Sequence, residues 1–207
     1  MPNRKKAEII EPFDYDCANA ELCNTMKSLH ISRIGEMPKI ELYLDQILSI
    51  VTDELSPLYD DGEKIITGAM VNNYVKQKVL PAPRRKRYTR RHLASLLFVC
   101  VLKRVLSIAQ VGQLIRMCEQ EQIDLMDAYD HLVEAFEQAL ALRFTDGENY
   151  REPIASIQLV TNDGRPVPGT LSSLVGSAVG LVVNKVYVEK LLALEERRVE
   201  TEPALEQ

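Results

Sequence analysis

The chain has 207 residues, of which 46% are hydrophobic and 27% are charged, and its formal net charge is −5. These values are those of an ordinary folded protein with one domain and an accessory segment. The basic residues near the start are not followed by an apolar stretch, which argues against a secretory signal and leads us to expect a cytoplasmic protein.

The first predicted elements are a weakly structured start and an amphipathic helix. Residues 1–36 lack sustained periodicity, so we expect a flexible N-terminal arm with one short helix near residues 17–29. Beyond this arm, apolar residues recur at steps of three and four until Ser56 and Pro57 end the helix. These apolar residues are Ile40, Tyr43, Leu44, Ile47, Leu48, Val51 and Leu55.

Three further helices are predicted within residues 37–120, which we assign as one domain. Thr67 can cap a helix that two prolines end near residue 81. After the basic loop 84–87, Thr89 and Ser107 can each cap another helix, because a hydroxyl oxygen accepts a free amide of the first turn.

The remainder of the chain is also predicted to be helical. An amphipathic helix over residues 123–144 is followed by a linker and a strand-and-turn signal over residues 157–164. A last helix runs from about residue 169 to 197. We assign residues 121–199 as a C-terminal helical and dimerisation region and residues 200–207 as an acidic tail, which makes the whole protein all-α.

The apolar segment 171–188 could be mistaken for a membrane span. Serines interrupt it and Lys185 cuts it short, so we expect a buried or interface helix and no membrane. Gly176 and Gly180 form a small-xxx-small pair on which two helices can approach closely. This pair indicates either a homodimer contact or packing inside the monomer core.

Charge is segregated along the chain. Residues 64–118 contain twelve Lys and Arg and no Asp or Glu, whereas the rest of the chain contains 13 basic and 30 acidic residues. A field of one sign on one segment attracts polyanions, so this block favours a nucleic-acid partner over a merely solvated basic face.

The helix that begins after Thr67 has two chemically different sides. At 100° per residue, Val71 and Tyr74 lie on one side. The other side has amide and basic side chains, and Asn, Gln and Lys can contact base edges in a major groove. These residues are Asn72, Asn73, Lys76 and Gln77.

The order of features over residues 66–118 resembles the winged helix-turn-helix of the MerR family of bacterial regulators. The resemblance is carried by Val71 and Tyr74 in the recognition helix, Val79 and Leu80 at its end, Pro81 and Pro83 before the wing, Arg85 and Arg87 in the wing, Tyr88 and Thr89 at the next helix, and Ser107, Ile108 and Val111 at the last. Lys78 stands where that family has Gly. The whole chain also resembles an uncharacterised bacterial family known only as a domain of unknown function.

The resemblance implies a winged-helix core and a transcriptional regulator that binds double-stranded DNA. Because one module of about 50 residues offers a small footprint for tight specific binding, we expect a homodimer that forms through the C-terminal helices. Specificity would come from the exposed face of the recognition helix. Phosphate contacts would come from the wing and the following helix start, that is from Arg84, Arg85, Lys86, Arg87, Arg90 and Arg91.

Two other binding functions remain open. An adaptor that kept the fold would bind an acidic protein in place of DNA. An RNA-binding module is disfavoured, because only Tyr74 and Tyr88 supply aromatic rings near the basic block for base stacking.

Catalysis and metal binding are not expected. The cysteines and histidines show no metal-ligand spacing, and the chain has no glycine-rich phosphate loop or nucleophile elbow. The cysteines are Cys17, Cys23, Cys100 and Cys118, and the histidines are His30, His92 and His131. We therefore expect reduced thiols and no cofactor, with His92 as a surface residue at a helix start.

Overall fold

The computed structural model describes residues 15–60, 62–146, 166 and 168–201. Within these ranges the chain forms seven α-helices and no β-strand, which confirms the all-α class. The helices are α1 (Tyr15–Lys27), α2 (Leu44–Leu55), α3 (Gly68–Lys76), α4 (Arg90–Leu102), α5 (Ile108–Gln120), α6 (Leu125–Asp146) and α7 (Gly169–Thr201), and a 3-10 turn covers Ser56–Leu58. The predicted linker and strand-and-turn signal lie almost wholly outside the described residues.

Helix α4 lies at the centre of the protein. Every residue from His92 to Leu102 is buried except the half-buried Phe98, and α4 contacts α2, α5, α6 and α7. A helix that is apolar on all sides requires neighbours on all sides. The apolar run after Thr89 therefore determines where the core forms.

The predicted caps hold two of the helices that flank α4. The Thr67 hydroxyl accepts the Met70 amide at 3.2 Å, and the Ser107 hydroxyl accepts the Gln110 amide at 3.3 Å. Each cap satisfies one of the amides that a helix start leaves without a partner. The predicted starts of α3 and α5 are thereby confirmed.

The N-terminal segment differs from the flexible arm expected for residues 1–36. Its predicted short helix is α1, which packs against α6 and α7, and both Met26 and Ile31 are buried. The Glu137 carboxylate of α6 accepts the Ile31 amide at 2.7 Å and pairs with Arg33 at 2.5 Å. The segment is ordered by these distant partners, which local periodicity does not show. Residues 1–14 lie outside the described residues.

Helix α7 is, among the described residues, the one helix long and apolar enough to cross a membrane by length and composition. Half of its apolar window is buried inside the protein. Gly176 and Gly180 are among the buried residues. Of the two interpretations of this glycine pair, the structure agrees with packing in the monomer core.

Candidate nucleic-acid interface

Helix α3 presents the polar face that its sequence predicts. Val71 and Tyr74 are buried in the core, while Asn72, Asn73 and Lys76 are exposed. Gln77 follows the helix as its C-cap and donates a hydrogen bond to the Asn73 side-chain oxygen at 3.2 Å. The exposed face therefore combines three amide side chains with one ammonium group.

The end of α3 contains a feature that sequence patterns did not single out as functional. The Lys78 amide donates to the Val75 carbonyl and the Val79 amide donates to the Tyr74 carbonyl, which is the Schellman arrangement. Lys78 takes the left-handed position with φ of 58°, where Gly is preferred because it has no Cβ. The sequence signal for this feature was that Lys78 stands where the MerR family has Gly.

The basic loop 84–87 folds as a tight hairpin. Arg84 and Arg87 form an antiparallel bridge, and the Arg87 amide donates to the Arg84 carbonyl at 2.9 Å. Arg85 and Lys86 at the tip both have positive φ, 51° and 60°. This geometry matches a type I′ turn, for which Asn-Gly is the favoured pair. Two cationic side chains are thus exposed at the cost of backbone strain.

The base of this hairpin is tied to the start of α2. Leu42 and Tyr88 exchange both backbone hydrogen bonds, at 2.8 and 2.9 Å. Tyr43 was predicted to lie on the apolar face of α2, but it is exposed, and the Arg87 guanidinium stacks 3.6 Å from its ring centroid. Tyr43 is exposed because Leu42 is bridged to Tyr88 and buried, and the next side chain of an extended chain points to the opposite side. The hairpin therefore has a fixed base below its strained tip.

Arg90 and Arg91 were predicted to bind phosphate, but both have partners within the protein. Arg90 donates to the Ile34 carbonyl at 3.2 Å, and Arg91 pairs with Asp124 at 2.5 Å. The hydrogen bond from Arg91 is the main cause that lowers the pKa of the Asp124 carboxyl. Their role in DNA binding stays a prediction, and any phosphate would have to compete with these contacts.

His92 is not the surface residue expected from its position. It is buried, its Nδ1 accepts the Thr89 amide at 3.0 Å, and its ring meets Tyr88 edge-to-face. Burial lowers the pKa of His92, while the nearby backbone of Ala82 and Pro81 opposes that shift. The prediction was wrong because the segment before the hairpin covers the first turn of α4. A neutral imidazole therefore joins the hairpin base to α4.

The structure divides the twelve cations of the basic block into two groups. Five make contacts that hold the fold: Arg87, Arg90, Arg91, Lys103 and Arg104. The other seven side chains have no hydrogen bond or ion pair with the residues that the structure describes. They are Lys64, Lys76, Lys78, Arg84, Arg85, Lys86 and Arg116. The available positive charge is therefore concentrated at the end of α3 and on the hairpin.

One carboxylate accompanies the hairpin cations. Exposed Glu41 lines a shallow depression together with Arg84, Arg85 and Arg87, so the structure brings these three arginines together. No group of three or more potential metal ligands occurs in the described part of the chain. The available chemistry of this surface is charge and amide hydrogen bonding.

Comparison with known proteins gives one match. No curated protein and no solved structure matches the chain. The matched region begins just after the buried Ile31, and it includes α2 to α5, the basic hairpin and the first part of α6. Residues 32–134 match a family described as a domain of unknown function (DUF1836), and the protein therefore contains a DUF1836 domain.

Proposed function

We propose that the protein is a sequence-specific DNA-binding transcriptional regulator that uses a MerR-like winged helix. In this proposal α3 enters the major groove, and its Asn and Gln side chains contact base edges. The hairpin 84–87 acts as the wing and binds the phosphate backbone. The observation that carries the proposal is the hairpin tip, where two cations occupy left-handed positions that Asn and Gly would occupy with less strain.

The charge distribution sets the expected salt dependence. Lys76, Lys78, Arg84, Arg85 and Lys86 are exposed and have no partner among the described residues. Each phosphate contact contributes about −0.9 to the slope of log K against log salt, so five contacts predict a slope of about −4 to −5 per protomer.

The test is selection of binding sites from a random duplex library, followed by fluorescence anisotropy from 50 to 300 mM salt. We expect a selected duplex to bind more tightly than a random one, with the slope given above. If the wild type binds no duplex at 50 mM salt, or binds with a slope near zero, the proposal is wrong. The protein-binding adaptor would then be the better explanation.

We further propose that the regulator is a homodimer, through a different face of α7 from the buried glycine pair. Five large apolar side chains on α7 are exposed, and at 3.6 residues per turn they lie within about 40° of one another. They are Leu174, Leu181, Val188, Leu192 and Val199. An exposed apolar stripe along one side of a helix is typical of an interaction surface.

The spacing of the stripe is self-complementary when two copies run antiparallel. Leu174 then lies opposite Val199 of the second copy, and Leu181 lies opposite Leu192. Near the two-fold axis Lys185 lies opposite Val188 of the second copy, whereas a parallel pair would place the two Lys185 ammonium groups side by side. The absence of this like-charge contact favours the antiparallel, isologous pair.

This dimer is tested by sedimentation equilibrium of the double variant Leu181→Glu, Leu192→Glu. We expect the wild type to be a dimer at micromolar concentration and the variant to be a folded monomer, because four carboxylates would be buried at the interface. Leu142→Glu on α6 is the matched control, since Leu142 is also exposed and apolar but lies outside the stripe. A monomeric wild type, or equal effects of the variant and the control, would contradict this arrangement.

A further inference from the structure

A cavity of about 650 Å³ lies beside the C-terminal end of α3. It is lined by Val75 and Val79 at the end of α3, by Phe98 of α4, by Leu132 of α6 and by Val175 of α7. The volume is within the usual range for sites that bind small molecules, and such sites are mostly apolar with a few polar groups. The cavity therefore has the size and lining of a ligand site that connects α3 with α7.

Helix α4 contributes one hydroxyl group to the cavity lining. Ser95 lines the cavity from the middle of α4 and is only 6% exposed. Its hydroxyl makes no hydrogen bond with any residue that the structure describes. The hydroxyl oxygen keeps access to the cavity space, so it is available for a hydrogen bond with a bound molecule.

The cavity also has one cation without a partner. Lys78 and Glu119 line it, are exposed and make no ion pair with a described residue, while the other two charged groups, Arg91 and Asp124, pair with each other. Lys78 holds its left-handed backbone at a site where Gly would be less strained. Strain of this kind persists where a side chain has a function, and here the ammonium group is placed to meet an anion.

We propose that this cavity binds a small carboxylic acid with an apolar body and a second polar group, such as a hydroxyl, at its other end. The carboxylate pairs with Lys78, the apolar body fills the space between α4, α5 and α6, and the hydroxyl bonds to Ser95. The regulatory effect rests on the proposed function: the bound acid weakens DNA binding because it neutralises Lys78 at the end of α3. By linkage, DNA weakens binding of the acid by the same factor.

Three probes with the same ten-carbon chain distinguish the contribution of the carboxylate from that of the hydroxyl. 10-Hydroxydecanoate has both polar groups, decanoate lacks the hydroxyl and 1,10-decanediol lacks the carboxylate. Calorimetric titration of the full chain without DNA should rank the first probe tightest. We expect a loss of about fivefold for decanoate and about tenfold or more for the diol, as for one neutral and one charged hydrogen bond.

Two conservative variants assign those losses to residues. Ser95→Ala should remove the preference for 10-hydroxydecanoate over decanoate, and Lys78→Gly should remove the preference over the diol. Lys64→Ala is the control, because Lys64 is an exposed cation that does not line the cavity. Ala128→Phe should block all three probes; if that variant does not fold, the two conservative variants still decide the question.

The outcomes are distinct from those of the DNA-binding test. Equal affinity of the three probes, no binding at millimolar concentration, or variants that change nothing would each overturn the site. If the wild type binds no DNA, the proposed function fails, while the titration without DNA still decides whether the cavity is a ligand site. If 10-hydroxydecanoate binds but leaves DNA affinity unchanged, the proposed regulation is wrong.

Discussion

The strained hairpin tip allows stability and DNA affinity to be changed in opposite directions. The double variant Arg85→Asn, Lys86→Gly installs the residue pair that a type I′ turn favours. Neither native side chain has a partner among the described residues, so no visible contact is lost. The same change removes two of the five cations that the proposed DNA contact uses.

The magnitudes follow from the backbone geometry and the charge. A non-Gly residue in the left-handed region costs roughly 1–2 kcal/mol. Asn relieves part of this cost and Gly most of it, but Gly also increases the entropy of the unfolded chain by about 0.5–1 kcal/mol. We therefore expect a net gain of about 1 kcal/mol in the free energy of unfolding, together with a salt slope that is shallower by about 1.8.

Urea denaturation followed by circular dichroism measures the first quantity, and anisotropy titrations over the salt range measure the second. Arg84→Gln is the matched control, because it removes one hairpin charge outside the two left-handed positions. The control should leave stability unchanged and reduce the slope by about 0.9. A less stable double variant would refute the strain argument, and an unchanged slope would show that the hairpin does not contact DNA.

Two other predictions concern α3 and the hairpin base. Asn73→Ala and Gln77→Ala should each reduce the preference for the selected duplex by about 1–3 kcal/mol per lost base contact. If both variants weaken random and selected duplexes by the same factor, α3 does not read the sequence. For His92, the folded-state pKa is lowered, so its contribution to stability is complete above its unfolded pKa of about 6.5 and is lost as pH falls below it. In His92→Gln the side-chain oxygen, at the third position of the helix, can still accept the Thr89 amide, but the side chain does not titrate. The variant should therefore lose this part of the pH dependence, measured by thermal unfolding between pH 7.5 and 5. An identical pH dependence in the variant would show that other groups cause it.

Local chemistry in the sequence determined the helices and their faces. Thr67 and Ser107 cap helices because a hydroxyl one residue before a helix can reach its free amides, whatever the rest of the chain does. The two sides of α3 follow from the 3.6-residue period, and the apolar run of α4 required a central position. These properties depend on neighbours within a few residues, so they could be read without the fold.

The tertiary structure decided which charges are available and which groups are buried. Arg91 is neutralised by Asp124, 33 positions later, and the N-terminal segment is held by Glu137, whose partners lie more than 100 positions earlier. His92 is buried only because the segment before the hairpin folds over it. The left-handed tip at Arg85 and Lys86 and the cavity beside Lys78 likewise depend on how distant segments pack. Pairing and burial at such separations are set by the packing of whole helices, and no local pattern encodes them.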